Sequence, residues 1–156
     1  MDGEELTLPP DMADPKDKLV LIVDDDESLL DLLEHMVKKE GFRFERASDG
    51  QEALRKIDAQ TPDLIILDFM LPGIGGFEVL KELQMGDARN TPVLVITGRR
   101  IDRETVEMVR QESNVREYME KPIKPAVLGA LLHRILKTRP PDVRRTTDRG
   151  PLSSGW

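Results

Sequence analysis

Five polar side chains that could do chemistry come at or just after the end of short apolar runs. They are Asp24, Asp25, Asp68, Thr97 and Lys121. Short apolar runs separated by helix-like segments predict parallel strands joined by crossovers, and ligands bind beyond the carboxyl ends of such strands. Three carboxylates that meet a hydroxyl and an ammonium there would form a site for a hard divalent cation and an oxyanion.

The carboxylates of this set need a cation. Neighbouring side chains at a strand end point to different sides, so Asp24 and Asp25 cannot both lie in apolar core without one. With Asp68 close by, each carboxylate would raise the pKa of the others. A bound Mg²⁺ together with Lys121 would bring the set near neutrality, so that a phosphoryl group could enter. An isolated Asp-Asp pair is more typical of a helix start, but the position relative to Asp68 favours the metal site.

The elements that must position these residues read as five strands alternating with five helices. The first strand, at 19–23, is apolar throughout, as in a central parallel strand, whereas 42–47 alternates as in an edge strand. The other strand-like runs are 63–67, 93–96 and a short one at 118–119. This order predicts a three-layer α/β sandwich with right-handed crossovers.

Helix ends are marked by residues suited to capping. Asp26, Asp49 and Asp102 each stand just before a helical pattern, where their carboxylates can accept backbone N–H groups. Pro125 suits the first turn of the last helix. The two histidines, His35 and His133, lie on separate helices with no acid at ligand spacing and are predicted to be surface or boundary residues.

Length and composition limit the classes of protein. A chain of 156 residues has room for one ordinary domain, and the absence of cysteine excludes disulfides and thiolate metal sites. The start lacks a signal-peptide pattern and no apolar run approaches the ~20 residues of a membrane span, which predicts a cytoplasmic protein without a membrane partner. At a net charge of -7, the chain is a poor nucleic-acid partner.

Both ends of the chain differ in composition from its middle. Residues 1–17 carry six acids and one lysine, and the end of the chain from Lys137 has five basic residues and two acids. Both stretches are rich in proline and polar residues. We therefore predict a disordered acidic extension at 1–17, a folded domain at 18–137 and a disordered basic tail at 138–156.

The motifs around the polar residues resemble the receiver domain of two-component response regulators. The matching segments are Val23-Asp24-Asp25-Asp26, Asp63 to Asp68 with Met70-Leu71-Pro72-Gly73 and Gly76, Thr97-Gly98, and Lys121-Pro122. They follow the order and spacing of that family over about residues 18–137. The resemblance implies a flavodoxin-like fold whose five parallel strands lie in the order 2-1-3-4-5.

The resemblance also assigns roles at the acidic site. Asp68 would be the phosphoacceptor, a carboxylate nucleophile that takes a phosphoryl group from a phosphohistidine. Asp25 would bind Mg²⁺ directly, Asp24 largely through water, and Asp68 and the backbone carbonyl of Met70 would complete the protein ligands. The implied cofactor is therefore Mg²⁺.

Further residues would bind the phosphoryl group, respond to it by moving, and set the rate of dephosphorylation. Thr97 and Lys121 would bind phosphoryl oxygens. Tyr118 matches an aromatic switch position that moves inward with the threonine, which makes the fourth helix, fifth strand and fifth helix the output face. Met70 and Arg99, each two residues beyond a site residue, would flank the attacking water. Neither can act as a base, which predicts slow dephosphorylation.

The implied function is a phosphorylation-controlled switch that at most catalyses its own phosphorylation and dephosphorylation. Its partners would be a sensor histidine kinase or a histidine phosphotransfer protein, and a downstream protein target. A homodimer through the output face is left open. No DNA-binding output domain is expected within these residues.

Two other functions fit parts of the pattern. Asp24-x-Asp26-x-Ser28 also matches haloacid-dehalogenase phosphatases, with Asp24 as nucleophile and Asp26 as acid. That family needs a late acidic motif, and only Asp142 and Asp148 follow Lys121. A degenerate receiver that acts only as a scaffold is the third hypothesis, although a scaffold does not require a complete set of polar groups.

Overall fold

A computed structural model describes residues 12–98 and 102–141 of the chain. The strands are β1 (Leu19–Val23), β2 (Arg43–Ala47), β3 (Leu64–Asp68), β4 (Val93–Thr97) and β5 (Val115–Glu120). The helices are α1 (Glu27–Lys39), α2 (Gly50–Ala59), α3 (Gly76–Gln84), α4 (Arg103–Arg110) and α5 (Pro125–Leu136). None of the helices in these two ranges is both long and apolar enough to cross a bilayer.

The strands form one parallel sheet in the order β2-β1-β3-β4-β5, which confirms the predicted order. All residues of β1, β3 and β4 are buried, as predicted for central strands, and β2 lies at one edge. Asp68 pairs with Ile96 and Thr97 pairs with Glu120, so the carboxyl ends of these strands are level. The polar residues at and just after the strand ends therefore lie along one edge of the sheet.

Two hydrophobic cores cover the two faces of the sheet. Alternate strand residues point to opposite faces, so Val20, Ile22, Ile66 and Leu94 pack under α1 and α5, while Leu21, Val23, Ile65 and Val95 pack under α2, α3 and α4. Each fully buried aliphatic side chain contributes roughly 1.5–3 kcal/mol relative to exposure. These layers confirm the predicted three-layer sandwich.

The predicted helix caps are present. Asp26, Asp49 and Asp102 each accept a backbone N–H from the first turn of α1, α2 and α4, at 3.0, 2.8 and 2.7 Å. Pro125 lies in the first turn of α5, as predicted. A capping hydrogen bond of this kind contributes typically about 1 kcal/mol.

Strand β5 is longer than the two residues predicted for it. It covers Val115–Glu120 at the second edge of the sheet. Because this strand contains several charged residues, it does not form the apolar run by which the other strands were predicted. The register with β4 shifts by one residue, so that Arg116 has no partner. This bulge places Tyr118 opposite Val95, in the core under α2, α3 and α4.

The two ends of the described chain are tied together. A 3-10 turn covers Pro15–Asp17, and Ala13 forms a parallel bridge with Thr138. Ala13 N donates to Lys137 O at 2.9 Å, and Arg139 N donates to Ala13 O at 3.0 Å. We call this pairing of residues 13 and 137–139 the terminal clasp.

The terminal clasp corrects the predicted boundaries. The folded part extends beyond 18–137 and includes residues 12–17 and 138–139, because backbone hydrogen bonds between the ends order segments whose composition alone suggests disorder. The disorder predicted for residues 1–11 and 142–156 lies outside the described residues.

The prediction for His133 is wrong, because its acidic partner comes from another part of the chain. His35 is exposed as predicted, but His133 is buried. Its ring nitrogens lie 2.8 Å from Glu40 Oε1 and 2.7 Å from Thr138 Oγ1. The acid comes from the end of α1, far away in sequence, so residue spacing could not reveal it.

Candidate functional site

The structure places the predicted site residues at the carboxyl edge of the sheet. Asp24 directly follows β1, Asp68 and Thr97 end β3 and β4, and Lys121 directly follows β5. The backbone ladder continues past the last strand, since Lys121 N donates to Thr97 O at 2.8 Å. The strand register therefore fixes where these side chains start.

Three carboxylates meet at this edge. One carboxylate oxygen from each of Asp24, Asp25 and Asp68 lies within 4.8 Å of the others. Asp24 is fully buried, Asp68 is nearly so, and Asp25 is exposed. The group is therefore closed on the protein side and open at Asp25. Clustered carboxylate oxygens of this kind suit a hard cation such as Mg²⁺.

The two oxygens of Asp24 have different environments. Asp26 N donates to Asp24 Oδ1 at 2.9 Å, in the turn that leads into α1. Asp24 Oδ2 is buried and has no hydrogen-bond donor within the described ranges, although Lys121 Nζ lies 3.4 Å away. A buried carboxylate oxygen without a donor is costly. A cation that binds at the carboxylate cluster would compensate this oxygen, so the residues fit the predicted metal.

Asp68 is held from two sides. Met70 N donates to Asp68 Oδ1 at 3.0 Å, and Lys121 Nζ donates to Asp68 Oδ2 at 3.4 Å. The Met70 side chain is largely exposed beside the site. The role of the Met70 carbonyl as a metal ligand stays a prediction.

Burial and neighbouring charges together shift the pKa values of Asp24 and Lys121. Burial raises the pKa of Asp24 from 3.8 to about 6; the Asp26 N–H and Lys121 oppose this rise, and the charge of Asp68 adds to it. Burial by itself would lower the pKa of the Lys121 ammonium, but Asp68 and Asp24 outweigh burial and the pKa is raised. Lys121 is therefore charged at neutral pH, and Asp24 is ionised at a cost.

Thr97 is buried at the end of β4, next to this group. Its hydroxyl donates to the Gly98 carbonyl at 3.3 Å. The predicted contact of Thr97 with a phosphoryl oxygen stays a prediction, as does the role of Arg99, which lies outside the described residues.

Tyr118 lies on β5, opposite Val95 of β4, on the face of the sheet that α4 covers. Its hydroxyl oxygen is buried and has no hydrogen-bond partner in the part of the chain that the structure describes. Burial raises the pKa of this hydroxyl, and Glu120 adds to the rise. The guanidinium carbon of Arg110 lies 5.5 Å from the centre of the ring. The predicted movement of Tyr118 is not tested by this arrangement.

The sequence interpretation used Gly76 only as part of a motif and missed its role in holding the loop after Asp68. Gly76 N donates to Phe69 O at 3.0 Å. A Cβ at Gly76 would lie 2.7 Å from Phe69 Cα, closer than a real Cβ can approach. The loop therefore folds against the start of α3 only if this position is glycine, and the Gly75-Gly76 pair at a helix start was the available signal.

We expect Gly76→Ala to lower the free energy of unfolding by about 1–3 kcal/mol, because the new Cβ would collide with backbone that cannot easily move. Chemical denaturation measures this change. Gly86→Ala is the control, since a Cβ there meets nothing within 4 Å. Equal stability changes for the two variants would contradict the role given to Gly76.

Comparison with known proteins decides the family. The response regulator receiver domain matches residues 20–133, which is most of the chain. The chain belongs to the response regulator receiver domain family. This result confirms the resemblance. It also overturns the haloacid-dehalogenase alternative, whose supposed acid, Asp26, instead caps α1.

Curated relatives of this receiver are longer proteins. Over 120 residues it is 38% identical to the alkaline phosphatase synthesis transcriptional regulatory protein PhoP of Bacillus subtilis, covering 77% of this chain and 49% of that protein. Over 137 residues it is 38% identical to the sensory transduction protein RegX3 of Mycobacterium tuberculosis, covering 87% and 58%. The receiver thus spans about half the length of these relatives.

Solved structures share the fold. The chemotaxis protein CheY4 of Vibrio cholerae matches with a TM-score of 0.70 and 31% identity, covering 76% of this chain and 98% of that one. A CheY-like receiver domain protein from Methanospirillum hungatei matches with a TM-score of 0.69 and 28% identity, covering 77% and 94%. The flavodoxin-like arrangement implied by the resemblance is therefore confirmed.

Proposed function

We propose that this receiver is a phosphorylation-controlled switch in which Asp68 accepts a phosphoryl group from a phosphohistidine. The observation that carries the proposal is the joint contact of Asp68 with Lys121, at 3.4 Å, and with the carboxylates of Asp24 and Asp25, within 4.8 Å. Asp24 is fully buried, and Asp25 forms no ion pair with the described basic residues. Asp68 is held by both the Lys121 ammonium and the Met70 N–H, and at 2% exposure it is slightly more accessible than Asp24.

The transfer balances with the groups at this edge. A carboxylate oxygen of Asp68 forms a bond to phosphorus, and the bond from phosphorus to the donor imidazole nitrogen breaks. That nitrogen keeps the electron pair, so the donor leaves as a histidine. Lys121 would pair with one phosphoryl oxygen, and the Thr97 hydroxyl would turn from the Gly98 carbonyl to donate to another.

We propose that Asp24, Asp25, Asp68 and the Met70 carbonyl hold Mg²⁺. When bound, Mg²⁺ supplies positive charge that offsets the carboxylates and the oxygens of an entering phosphoryl group. The buried Asp24 Oδ2, which lacks a donor among the described residues, supports this assignment. A pure scaffold would gain nothing from keeping this oxygen and three close carboxylates.

The experiment is incubation with acetyl phosphate and Mg²⁺ followed by mass spectrometry of the intact and digested protein. We expect one phosphoryl group per chain, mapped to Asp68. A modification mapped elsewhere would contradict the phosphoacceptor assignment. The absence of any modification, under conditions in which a known receiver is labelled, would favour the scaffold hypothesis.

We propose that α4, β5 and α5 form the output face. Within the described residues, α4 buries only Val109 fully, and β5 is an edge strand whose residues are half-buried or exposed. An element with so little buried area can shift at a low energetic cost. The proposed partners are a sensor histidine kinase or a histidine phosphotransfer protein and, at this face, a downstream protein or a second copy of the chain. We place the protein in the cytoplasm.

Phosphorylation, or beryllofluoride in its place, is expected to change amide hydrogen exchange across residues 102–122. The physical reason is that Thr97, Lys121 and the new charge lie at one end of β4 and β5, so their rearrangement biases the packing of the whole face. The control is exchange in α2, which packs on β1, β2 and α3 and carries none of the predicted site residues. Unchanged exchange across residues 102–122 would refute the proposed face.

Met70→Asn is expected to shorten the lifetime of the phosphorylated state several-fold. The exposed Met70 side chain beside Asp68 cannot orient an attacking water, whereas an amide can. The loss of phosphoryl group is followed by mass spectrometry after the phosphodonor is removed. Met85→Asn, at an exposed position after α3, is the control. Rapid loss that Met70→Asn leaves unaltered would contradict the prediction.

A further inference from the structure

A shallow groove between α4 and β5 carries positive charge that the described residues do not neutralise. It encloses about 280 Å³ and is lined by Arg110, Val115, Arg116, Glu117 and Tyr118. The acid of this lining, Glu117, is already paired with Arg134 at 2.8 Å. Arg110 and Arg116 form no ion pair with any described residue, and Arg110 lies over the Tyr118 ring. The groove thus offers two guanidinium groups beside an aromatic and an aliphatic side chain.

These features fit a peptide that is acidic and partly apolar. The chain itself contains such a segment. Residues 1–11 read MDGEELTLPPD, with four acids, no lysine or arginine, and two leucines, Leu6 and Leu8, within three residues after the acidic pair. Arginine pairs well with carboxylates, so the segment and the groove are complementary in both charge and apolar character.

The terminal clasp brings the end of this segment close to the groove. Ala13 is bonded to Lys137 and Arg139 at the end of α5. From there the chain continues to Pro15, which lies beside Gly41 after α1. The chain therefore enters the fold on the α5 side and crosses towards α1. Residues 1–11 are therefore joined to the fold next to the end of α5.

Helix α5 connects the clasp directly to the groove. Its residue His133 contacts Glu40 at the end of α1, whereas the next residue, Arg134, contacts Glu117 in the groove lining. Helix α5 ends at Leu136, and Lys137 of the clasp is only three residues after Arg134, a stretch of chain that spans at most about 11 Å. Eleven residues can span at most about 40 Å. The acidic segment is therefore long enough to reach Arg116 and Arg110.

We propose that residues 1–11 bind the groove between Arg110 and Arg116 and cover this part of the α4–β5–α5 face. The carboxylates of Glu4 and Glu5 pair with the arginines, and the following leucines contact Val115 and Tyr118. The contact itself does not depend on the proposed function. Its consequence does: a downstream partner that uses the same face must displace the segment.

The experiment uses Tyr118 as a reporter, since it is the single tyrosine of the chain. Labelling the full chain with ¹⁵N-tyrosine leaves one backbone amide signal in the NMR spectrum. We expect that signal to shift when Asp2, Glu4 and Glu5 are replaced by Asn, Gln and Gln. The same replacements are expected to cause a smaller shift in an Arg116→Gln background, because one of the two arginine pairings is already lost there. Added salt should move the wild-type signal towards that of the variant.

The matched control neutralises three exposed acids elsewhere, with Asp58→Asn, Glu82→Gln and Asp87→Asn, and should leave the Tyr118 signal in place. If Arg116→Gln does not fold, Arg110→Gln supplies the background. An unmoved signal, or an equal shift in the arginine variant, overturns the proposal. A shift that depends on protein concentration also overturns it and assigns the groove to a second copy. The spectra need no phosphorylation, so this outcome is independent of the test of Asp68.

Discussion

Asp68→Asn is expected to reduce phosphorylation by acetyl phosphate more than about 100-fold, because it removes the nucleophile and no neighbouring group can replace it. Asp24 is fully buried, and Asp25 forms no ion pair with Lys121 in the described structure. The asparagine oxygen can still accept the Met70 N–H that holds Asp68 at 3.0 Å. The loss should therefore be chemical and should leave the fold intact.

Intact-mass measurement over time gives the phosphorylation rate of each variant. Asp58→Asn, which changes an exposed acid on α2, is the control and should be labelled like the wild type. Circular dichroism checks that Asp68→Asn is folded. Labelling of Asp68→Asn at the wild-type rate would show that phosphoryl transfer uses another residue.

Asp24→Asn is expected to raise the free energy of unfolding in metal-free buffer at neutral pH by about 1–2 kcal/mol, although it removes a site residue. Ionised Asp24 is buried next to Asp68, and its pKa of about 6, against 3.8 unfolded, corresponds to a penalty of at most about 3 kcal/mol above both values. The asparagine keeps the oxygen that accepts the Asp26 N–H. Part of the gain is lost with the attraction to Lys121, 3.4 Å away.

The pH dependence follows from the direction of this shift. Because the folded pKa of Asp24 is raised, the folded state binds more protons than the unfolded state between roughly pH 4 and pH 6. The wild type should therefore lose stability relative to Asp24→Asn as the pH rises through this window. Below it, the contribution of Asp24 to the difference disappears. Urea denaturation at several pH values measures the difference.

Magnesium should stabilise the folded wild type through the Asp24 carboxylate. A cation that binds only the folded wild type raises its midpoint of thermal unfolding, and loss of the Asp24 carboxylate should weaken that response. Asp25→Asn is the matched control. Because Asp25 is exposed, its replacement should weaken the magnesium response without raising metal-free stability. A wild type that is as stable as Asp24→Asn at all pH values would contradict the assigned cost of burying Asp24.

The central strands could be predicted from the sequence because their burial is two-sided. The runs that form β1, β3 and β4 are apolar except for Asp68 and Thr97 at the ends of β3 and β4, and the structure buries every residue of them. The acids before α1, α2 and α4 are similarly local signals, since a cap acts on backbone groups two or three residues away. Apart from β5, the strand boundaries moved by at most one residue, as in β2, which begins at Arg43 instead of Phe42.

Features that depend on distant residues could not be predicted in this way. The bulge in β5 is a matter of register with β4, and it selects the face on which Tyr118 lies. The terminal clasp and the contact of His133 with Glu40 join segments that only the folded chain brings together. The need for glycine at position 76 arises from the Phe69 backbone packed against it.

By itself, the sequence determined the α/β class and the identity of the residues at the carboxyl edge, because periodicity and spacing are properties of local chain geometry. The strand order was implied only by the family resemblance. The tertiary structure alone decided how deeply each carboxylate is buried, that Asp24 Oδ2 has no donor among the described residues, and that Arg110 and Arg116, beside Tyr118, form no ion pair with the described residues. Burial and pairing depend on which atoms surround a group. They therefore set the pKa of Asp24 and the charge of the groove between α4 and β5 only once the chain is folded.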